Sequence, residues 1–345
     1  MNREFQSVAV IGGGSWGTTL ARLLALKGLE VSLWAREEEV VGSIQKEKEN
    51  KVFLPGVRLP GPLKATQNLE EALEGKEVVL MVVPSQYYRD VLTRMKPYLR
   101  GGQSLVTATK GIENDSLMIM SQVTESVVPG LFTNSFSCLA GPSFAKEVCQ
   151  ELPTAVTIAS KDSDLGKRLQ ILFSTEYFRA YVSDDVVGVQ LAGALKNVIA
   201  IAAGASDGLG FGHNARAALI TRGLAEIRRL GVAMGADPMT FSGLAGVGDL
   251  VLTCTGDLSR NRTVGLQVGK GMTIQEITSR MKMVAEGVKT TKSAYHLAKR
   301  MEVDMPIAEQ VYQILYEGKS PKEAVKDLMT RALKWELDVP GAQKS

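Results

Sequence analysis

The stretch that most constrains the fold is Val8-Ala9-Val10-Ile11-Gly12-Gly13-Gly14-Ser15-Trp16-Gly17. Val8 to Ile11 is apolar and short, which fits a buried strand, and a glycine-rich turn follows it. Residues 18–27 then read as a helix closed by Gly28. Gly12, Gly14 and Gly17 satisfy the spacing G-x-G-x-x-G. In a dinucleotide-binding turn the first glycine makes the bend and the second lets the backbone approach a pyrophosphate. The third lets helix and strand pack closely, and the helix N-terminus offers free N–H groups to the phosphates. A glycine-rich turn alone is a weak signal. Here strand, turn, helix and a second strand, Glu30–Trp34, come in the required order, and a nucleotide site is the reading.

The first half continues in the same grammar. Apolar runs at 78–83, 104–108, 137–140, 154–159 and 178–182 alternate with helical patterns at 37–48, 87–98, 117–127 and 165–173, and a Pro/Gly-rich loop covers 53–62. Continuous apolar strands in β-α-β order imply a doubly wound, mostly parallel sheet covered on both faces. Near Asp184 strand-like runs stop. Helical patterns follow at 186–205, 215–234, 239–244, 263–270, 273–281, 288–299, 307–316 and 321–332. The expected organisation is a dinucleotide-binding domain over 1–185, an all-α domain over 186–338 and a loose tail over 339–345; 345 residues suffice for two cores.

Bulk properties narrow the partners. A net charge of +3 is too small to argue for nucleic acid or an anionic membrane surface, so anion recognition must be local. The most apolar run, 198–205, is too short to span a bilayer, and no targeting segment precedes the first strand. Cys138, Cys149 and Cys254 lack CxxC spacing and suit a reducing, cytoplasmic setting. With only His213 and His296, no histidine-rich metal centre is expected.

The end of the second strand bears on the choice of dinucleotide. An acidic residue there favours NAD, whereas space and a cation favour NADP. The strand ends Trp34-Ala35-Arg36. Arg36 suits a 2′-phosphate, which favours NADPH over NADH, while Glu37 pulls the other way by repelling that phosphate. Arg36 is otherwise a solvated start to a charged helix.

In such a sheet the ligand lies beyond the carboxyl ends of the strands. Pro84-Ser85, Lys110-Gly111 and Gly141-Pro142-Ser143-Phe144-Ala145 sit at strand ends. Pro142 with Ser143 reads as a helix N-terminus able to bind an anion, or as plain capping. The sharper oddity is 191–203, apolar nearly all round except for Lys196-Asn197. A lysine in a buried helix is costly unless it is paired or lines a cleft, and desolvation lowers its pKa toward the range useful for proton exchange. The alternative is a lysine that snorkels to water. Further on, glycines bracket Asp249, and Ser259-Arg260-Asn261 reads as a helix start able to clamp a phosphate, or as an N-cap with a surface arginine.

These blocks together resemble the bacterial NAD(P)-dependent glycerol-3-phosphate dehydrogenases. The matching stretches are Val10–Thr18, Leu33–Arg36, Thr109–Glu113, Leu139–Ala145, Ala194–Val198, Gly248–Cys254, Ser259–Arg262 and Val284–Val288, in order along the whole chain. The resemblance implies a Rossmann domain followed by a helical domain, a homodimer, and reduction of dihydroxyacetone phosphate to sn-glycerol 3-phosphate for phospholipid synthesis. It assigns Ser15, Trp16, Arg36, Ala145, Val284 and Glu286 to the cofactor beside Gly12, Gly14 and Gly17, and Lys110 and Arg260 to both ligands. Gly141, Ser143, Asp249, Ser259 and Asn261 would bind substrate, and Lys196 would also bind it and exchange the proton. Glu37 departs from the basic or neutral residue of many relatives, which puts strict NADP preference in doubt. Two other readings fit the residues alone: a reductase of similar build acting on a carboxylate, and a non-catalytic NADPH sensor. A substrate panel separates the first; the second needs neither a lysine in an apolar helix nor a second anion site.

Overall fold

The computed structural model describes residues 4–281, 285–333 and 335–336. Eight strands form one sheet: β1 (Ser7–Ile11), β2 (Glu30–Trp34), β3 (Lys64–Thr66), β4 (Val78–Met81), β5 (Ser104–Thr107), β6 (Phe136–Ala140), β7 (Thr154–Ser160) and β8 (Phe178–Ser183). Their order is β8-β7-β6-β5-β4-β1-β2-β3. Every pairing is parallel except that of β6 with β7. Val8 to Ile11 lie in register between Val31 to Trp34 and Val78 to Met81, and all are buried, as strands covered on both faces must be. The chain order reverses between β1 and β4, and such a switch point is where an open α/β sheet forms its ligand crevice.

Helices α1 (Ser15–Leu26), α2 (Glu38–Glu47), α3 (Leu69–Leu73), α4 (Tyr88–Met95), α5 (Met120–Val127), α6 (Ala145–Cys149) and α7 (Ser163–Phe173) cover the sheet. The loop expected at 53–62 contains a strand, Leu54–Arg58, paired with Glu49–Asn50. Pro55 and Gly56 are tolerated there because a two-stranded ribbon is all edge. The helix expected from Leu117 begins at Met120, since Leu117 is left-handed, with φ +59°.

The rest is helical: α8 (Val186–Gly208), α9 (His213–Ala233), α10 (Asp249–Thr255), α11 (Arg260–Gly269), α12 (Ile274–Ser279), α13 (Glu286–Arg300), α14 (Pro306–Tyr316) and α15 (Pro321–Met329). α8 is long and apolar enough to cross a membrane, yet 89% of its most apolar window is buried inside the protein. It is the central helix around which α9, α10, α11 and α13 gather. Its contact with α11 is backbone to backbone. A Cβ added to Gly204 would lie 2.0 Å from the Arg262 carbonyl oxygen, and one on Gly265 would lie 2.0 Å from that of Ile201. The helix expected over 239–244 is instead a 3-10 turn, Pro238–Ser242, followed by a π turn, Leu244–Gly248. Glycine makes that coil possible: a Cβ on Gly246 would meet the Phe241 carbonyl oxygen at 2.1 Å.

Candidate active site

The glycine-rich turn has the three expected geometries. A Cβ on Gly12, at φ +128°, would lie 2.5 Å from the Val82 carbonyl oxygen, and one on Gly17 would lie 1.9 Å from that of Gly12. A Cβ on Gly14 would meet nothing within 4 Å, so open space lies before that backbone. Gly14 also caps α1 without any side-chain hydrogen bond to the first-turn N–H groups. A cradle of open space and free N–H donors fits the pyrophosphate of a dinucleotide. Ser15 and Trp16 are half-buried at its rim, with Trp16 packed on the sheet domain's core. Ala145 opens α6 beside α1, where the Thr19 hydroxyl donates to its carbonyl at 3.5 Å. Arg36 is exposed, donates to the Glu37 carboxylate at 3.1 Å and lies over the Tyr87 ring at 5.9 Å.

A cluster of buried charges forms where β5, β6 and α8 meet. Gly193 on α8 leaves room for the Lys110 stem, 3.7 Å from a Cβ built there, and for Ala140. One helical turn later Lys196 is only 6% exposed. Its Nζ donates to Asp249 Oδ1 at 2.5 Å and to Thr253 Oγ1 at 2.8 Å, and Lys110 Nζ donates to Asp249 Oδ2 at 3.0 Å. One buried carboxylate thus holds two ammonium groups. Asp249 and Thr253 stand on one face of α10 at helical spacing, with the Thr253 hydroxyl donating to the Asp249 carbonyl at 2.6 Å. Burial lowers the Lys196 pKa to about 8, against the upward pull of Asp249 and with Lys110 pushing the same way as burial. Lys196 is therefore a buried, paired lysine rather than a snorkelling one.

The bend after β6 borders this cluster. Gly141, at φ +148°, could not carry a Cβ, which would lie 2.8 Å from Val156 Cα. Ser143 Oγ donates to the Gly141 carbonyl at 3.0 Å, and Pro142 abuts Gly248, just before Asp249. Pro142 and Ser143 precede rather than open a helix: α6 starts at Ala145 with Phe144 at its cap. The carbonyl-bound Ser143 hydroxyl explains this, since it does not cap a helical N–H.

α11 supplies the other wall. Ser259 is its N-cap, accepting from the Arg262 N–H at 3.2 Å, so Ser259 does cap a helix. Asn261 Nδ2 donates to Asn197 Oδ1 at 2.8 Å, and Asn261 Oδ1 accepts from the Gly287 N–H at 2.9 Å. This chain of amides ties α11 to α8 and to the start of α13, where Glu286 sits. Burial pushes the Glu286 carboxyl up, opposed by the nearby cations Arg260, Lys110 and Lys196. Val284 lies outside the described residues. Two residues in the middle of the site, Thr253 and Asn197, received no role from the sequence. Their signals were Thr253's place four residues after Asp249 and Asn197's break in an apolar helix.

A glycine-rich dinucleotide cradle and a buried lysine paired with Asp249, with Lys110 and Arg260 close by, fit a two-domain, nicotinamide-dependent dehydrogenase. Comparison with known proteins narrows this. Residues 7–166 match the N-terminal family, and residues 185–326 the C-terminal family, of NAD-dependent glycerol-3-phosphate dehydrogenase. The glycerol-3-phosphate dehydrogenase [NAD(P)+] of Geobacter metallireducens is 60% identical over 326 residues, covering 94% of this chain and 97% of that one. That of Citrifermentans bemidjiense is 59% identical, covering 96% and 99%. The crystal structure of glycerol-3-phosphate dehydrogenase from Coxiella burnetii superimposes with a TM-score of 0.91 at 42% identity, covering 95% and 99%. The chain belongs to the NAD(P)-dependent glycerol-3-phosphate dehydrogenase family.

Proposed function

We propose that this chain catalyses the reversible NAD(P)H-dependent reduction of dihydroxyacetone phosphate to sn-glycerol 3-phosphate, which feeds glycerophospholipid synthesis. The observation that carries the chemistry is Lys196, buried, held by Asp249 and Thr253 and tuned to about 8. Gly12, Gly14, Ser15, Trp16 and Gly17 hold the dinucleotide, with Arg36, Ala145, Lys110, Arg260 and Glu286 along its length; Val284 is assigned to it by the family resemblance alone. The bound nicotinamide supplies the hydride. The ketone oxygen gains negative charge as its carbon is reduced. Lys196 in its ammonium form stabilises that charge and donates the proton, leaving an amine. Asp249 fixes Lys196 and Lys110 relative to each other, and Lys110 adds a second positive charge beside the reacting oxygen. Arg260, Ser259 and Asn261 at the α11 N-terminus take the phosphate, and Gly141 and Ser143 take the substrate hydroxyl side, so that the carbonyl is oriented before reaction.

A second anion site beside the lysine also speaks against a non-catalytic sensor, and membership of the family speaks for a phosphate rather than a carboxylate substrate. We take residues 1–185 and 186–338 as the two functional domains, and the enzyme as a cytoplasmic homodimer; the free thiols Cys138, Cys149 and Cys254 suit that compartment. The decisive experiment follows oxidation of NADPH and of NADH with dihydroxyacetone phosphate and with carboxylate ketones. Turnover confined to the phosphate substrate is expected. Turnover confined to carboxylates, or none, would overturn the reading.

A further inference from the structure

A second ionic cluster, unused by the reaction, joins three helices of the second domain. Asp207 stands in the last turn of α8 with its side chain 7% exposed. Its Oδ1 accepts from Arg216 of α9, at 3.0 Å from Nε and 2.6 Å from Nη2. Its Oδ2 accepts from Arg262 of α11, at 3.0 Å from Nε and 2.9 Å from Nη2. Arg262 Nη1 also reaches the exposed Asp257 at 2.9 Å. The position of Arg262 is odd. It lies in the first turn of α11, where the helix dipole disfavours a cation, two residues after Arg260. A phosphate facing that terminus accounts for Arg260. It does not account for Arg262, whose guanidinium is committed to Asp207 and Asp257.

The α8–α11 contact supplies a reason. It is lined by Gly204, Gly208, Gly265 and Gly269, whose missing side chains let the backbones touch. Such a contact seats backbone on backbone, and polar side chains that bridge the two helices can hold its register. Two polar pins bridge it: Asn197 with Asn261, and Asp207 with Arg262. The register they set fixes the span from Lys196 on α8 to the N-terminus of α11. A substrate whose carbonyl and phosphate are a fixed distance apart must match that span. We propose that Asp207 and Arg262 form a positioning clamp that holds the phosphate-binding end of α11 in register with Lys196. Arg262 thereby gives the active site its preference for a phosphorylated over an unphosphorylated ketone, without touching substrate. This rests on the reading of the α11 N-terminus as the phosphate site.

The test compares kcat and KM of the full-length enzyme for dihydroxyacetone phosphate and for dihydroxyacetone at saturating NADPH, alongside unfolding midpoints. Asp207→Asn and Arg262→Met are expected to lower the ratio of the two kcat/KM values by about tenfold or more, chiefly through KM for the phosphorylated substrate, as sub-ångström misplacement does. The double variant should lose no more than the worse single one. Arg262→Lys, which keeps the charge but not the fork, should fall between. Arg216→Met takes the other guanidinium from the same carboxylate; it should lower the midpoint and leave the ratio unchanged. An unchanged ratio in folded Asp207→Asn and Arg262→Met overturns the clamp, as does an equal loss in Arg216→Met. If Asp207→Asn does not fold, Arg262→Lys decides by the same ratio. A wild-type ratio near one would instead overturn the phosphate-site reading itself.

Discussion

Asp249→Asn is the perturbation that bears most directly on how Lys196 works. The carboxylate touches both ammonium groups, at 2.5 Å from Lys196 and 3.0 Å from Lys110. It opposes the burial that brings Lys196 down from 10.5 to about 8. Reduction uses the ammonium form, so kcat/KM for dihydroxyacetone phosphate should fall as pH rises through about 8. Oxidation of glycerol 3-phosphate uses the amine, so its kcat/KM should rise through the same pH. With Asn at 249, burial and Lys110 remain while the opposing charge is gone. The limb should then move down toward the ~6 seen for unpaired buried lysines. At pH 7.5 the ammonium fraction would fall from roughly three-quarters to about 3%, some 25-fold, at a Lys196 pKa of ~6. Loss of substrate contacts adds to the amplitude but does not move the limb. The assay is therefore the pH profile of kcat/KM in both directions for wild type and variant, not the rate at one pH. A wild-type profile with no limb between about 7 and 9, or a variant limb that stays with the wild type, would refute the reasoning.

Other expectations follow from the same geometry. Lys196→Met should lose about 10²–10⁴-fold in kcat, while cofactor binding measured by nicotinamide fluorescence stays within a factor of about two; retained turnover would remove Lys196 from proton transfer. Because the native pKa of Lys196 lies below 10.5, the fold bears the cost of the buried ammonium below about 8 and recovers it as pH rises from about 8 to 10.5. Urea unfolding of wild type should thus gain stability relative to Lys196→Met across that window, and parallel curves would contradict it. Arg260→Ala should raise KM for dihydroxyacetone phosphate by roughly 10–100-fold, the worth of one or two charge-assisted hydrogen bonds; a defect confined to cofactor KM would displace the phosphate from α11. Glu37→Gln frees Arg36 from an exposed ion pair worth at most about 1 kcal/mol, so the NADPH-to-NADH ratio of kcat/KM should rise by no more than about fivefold. A fall in that ratio would mean that Glu37 does not compete with the 2′-phosphate.

What could be read from the chain alone divides along a physical line. Features that a single segment dictates were legible. The Gly12–Gly17 spacing, the continuous apolar runs of β1, β4 and β5 and the isolated Lys196 in α8 each carry their meaning in local pattern, because a tight turn, an unbroken apolar run and a lone cation in an apolar helix are each complete within one segment. Features that arise only when two segments meet were not. The strand Leu54–Arg58 hides in a Pro/Gly-rich stretch because an edge ribbon tolerates both residues. The Pro142-Ser143 bend mimics a helix start until Ser143 is seen donating to the carbonyl of Gly141. Thr253 looks like any helical threonine until α10 is laid against Lys196. Arg262 is the sharpest case. From sequence it is a surface arginine trailing Arg260, and only the approach of α8 through Gly204 gives it Asp207 as a partner. In the proposed function the glycine-rich turn at the N-terminus accounts for the cofactor class and leaves the choice of ketone open. In the proposed clamp the ketone is chosen by the span from Lys196 to the start of α11, and that span belongs to a helix–helix contact whose glycines are silent in a one-dimensional reading.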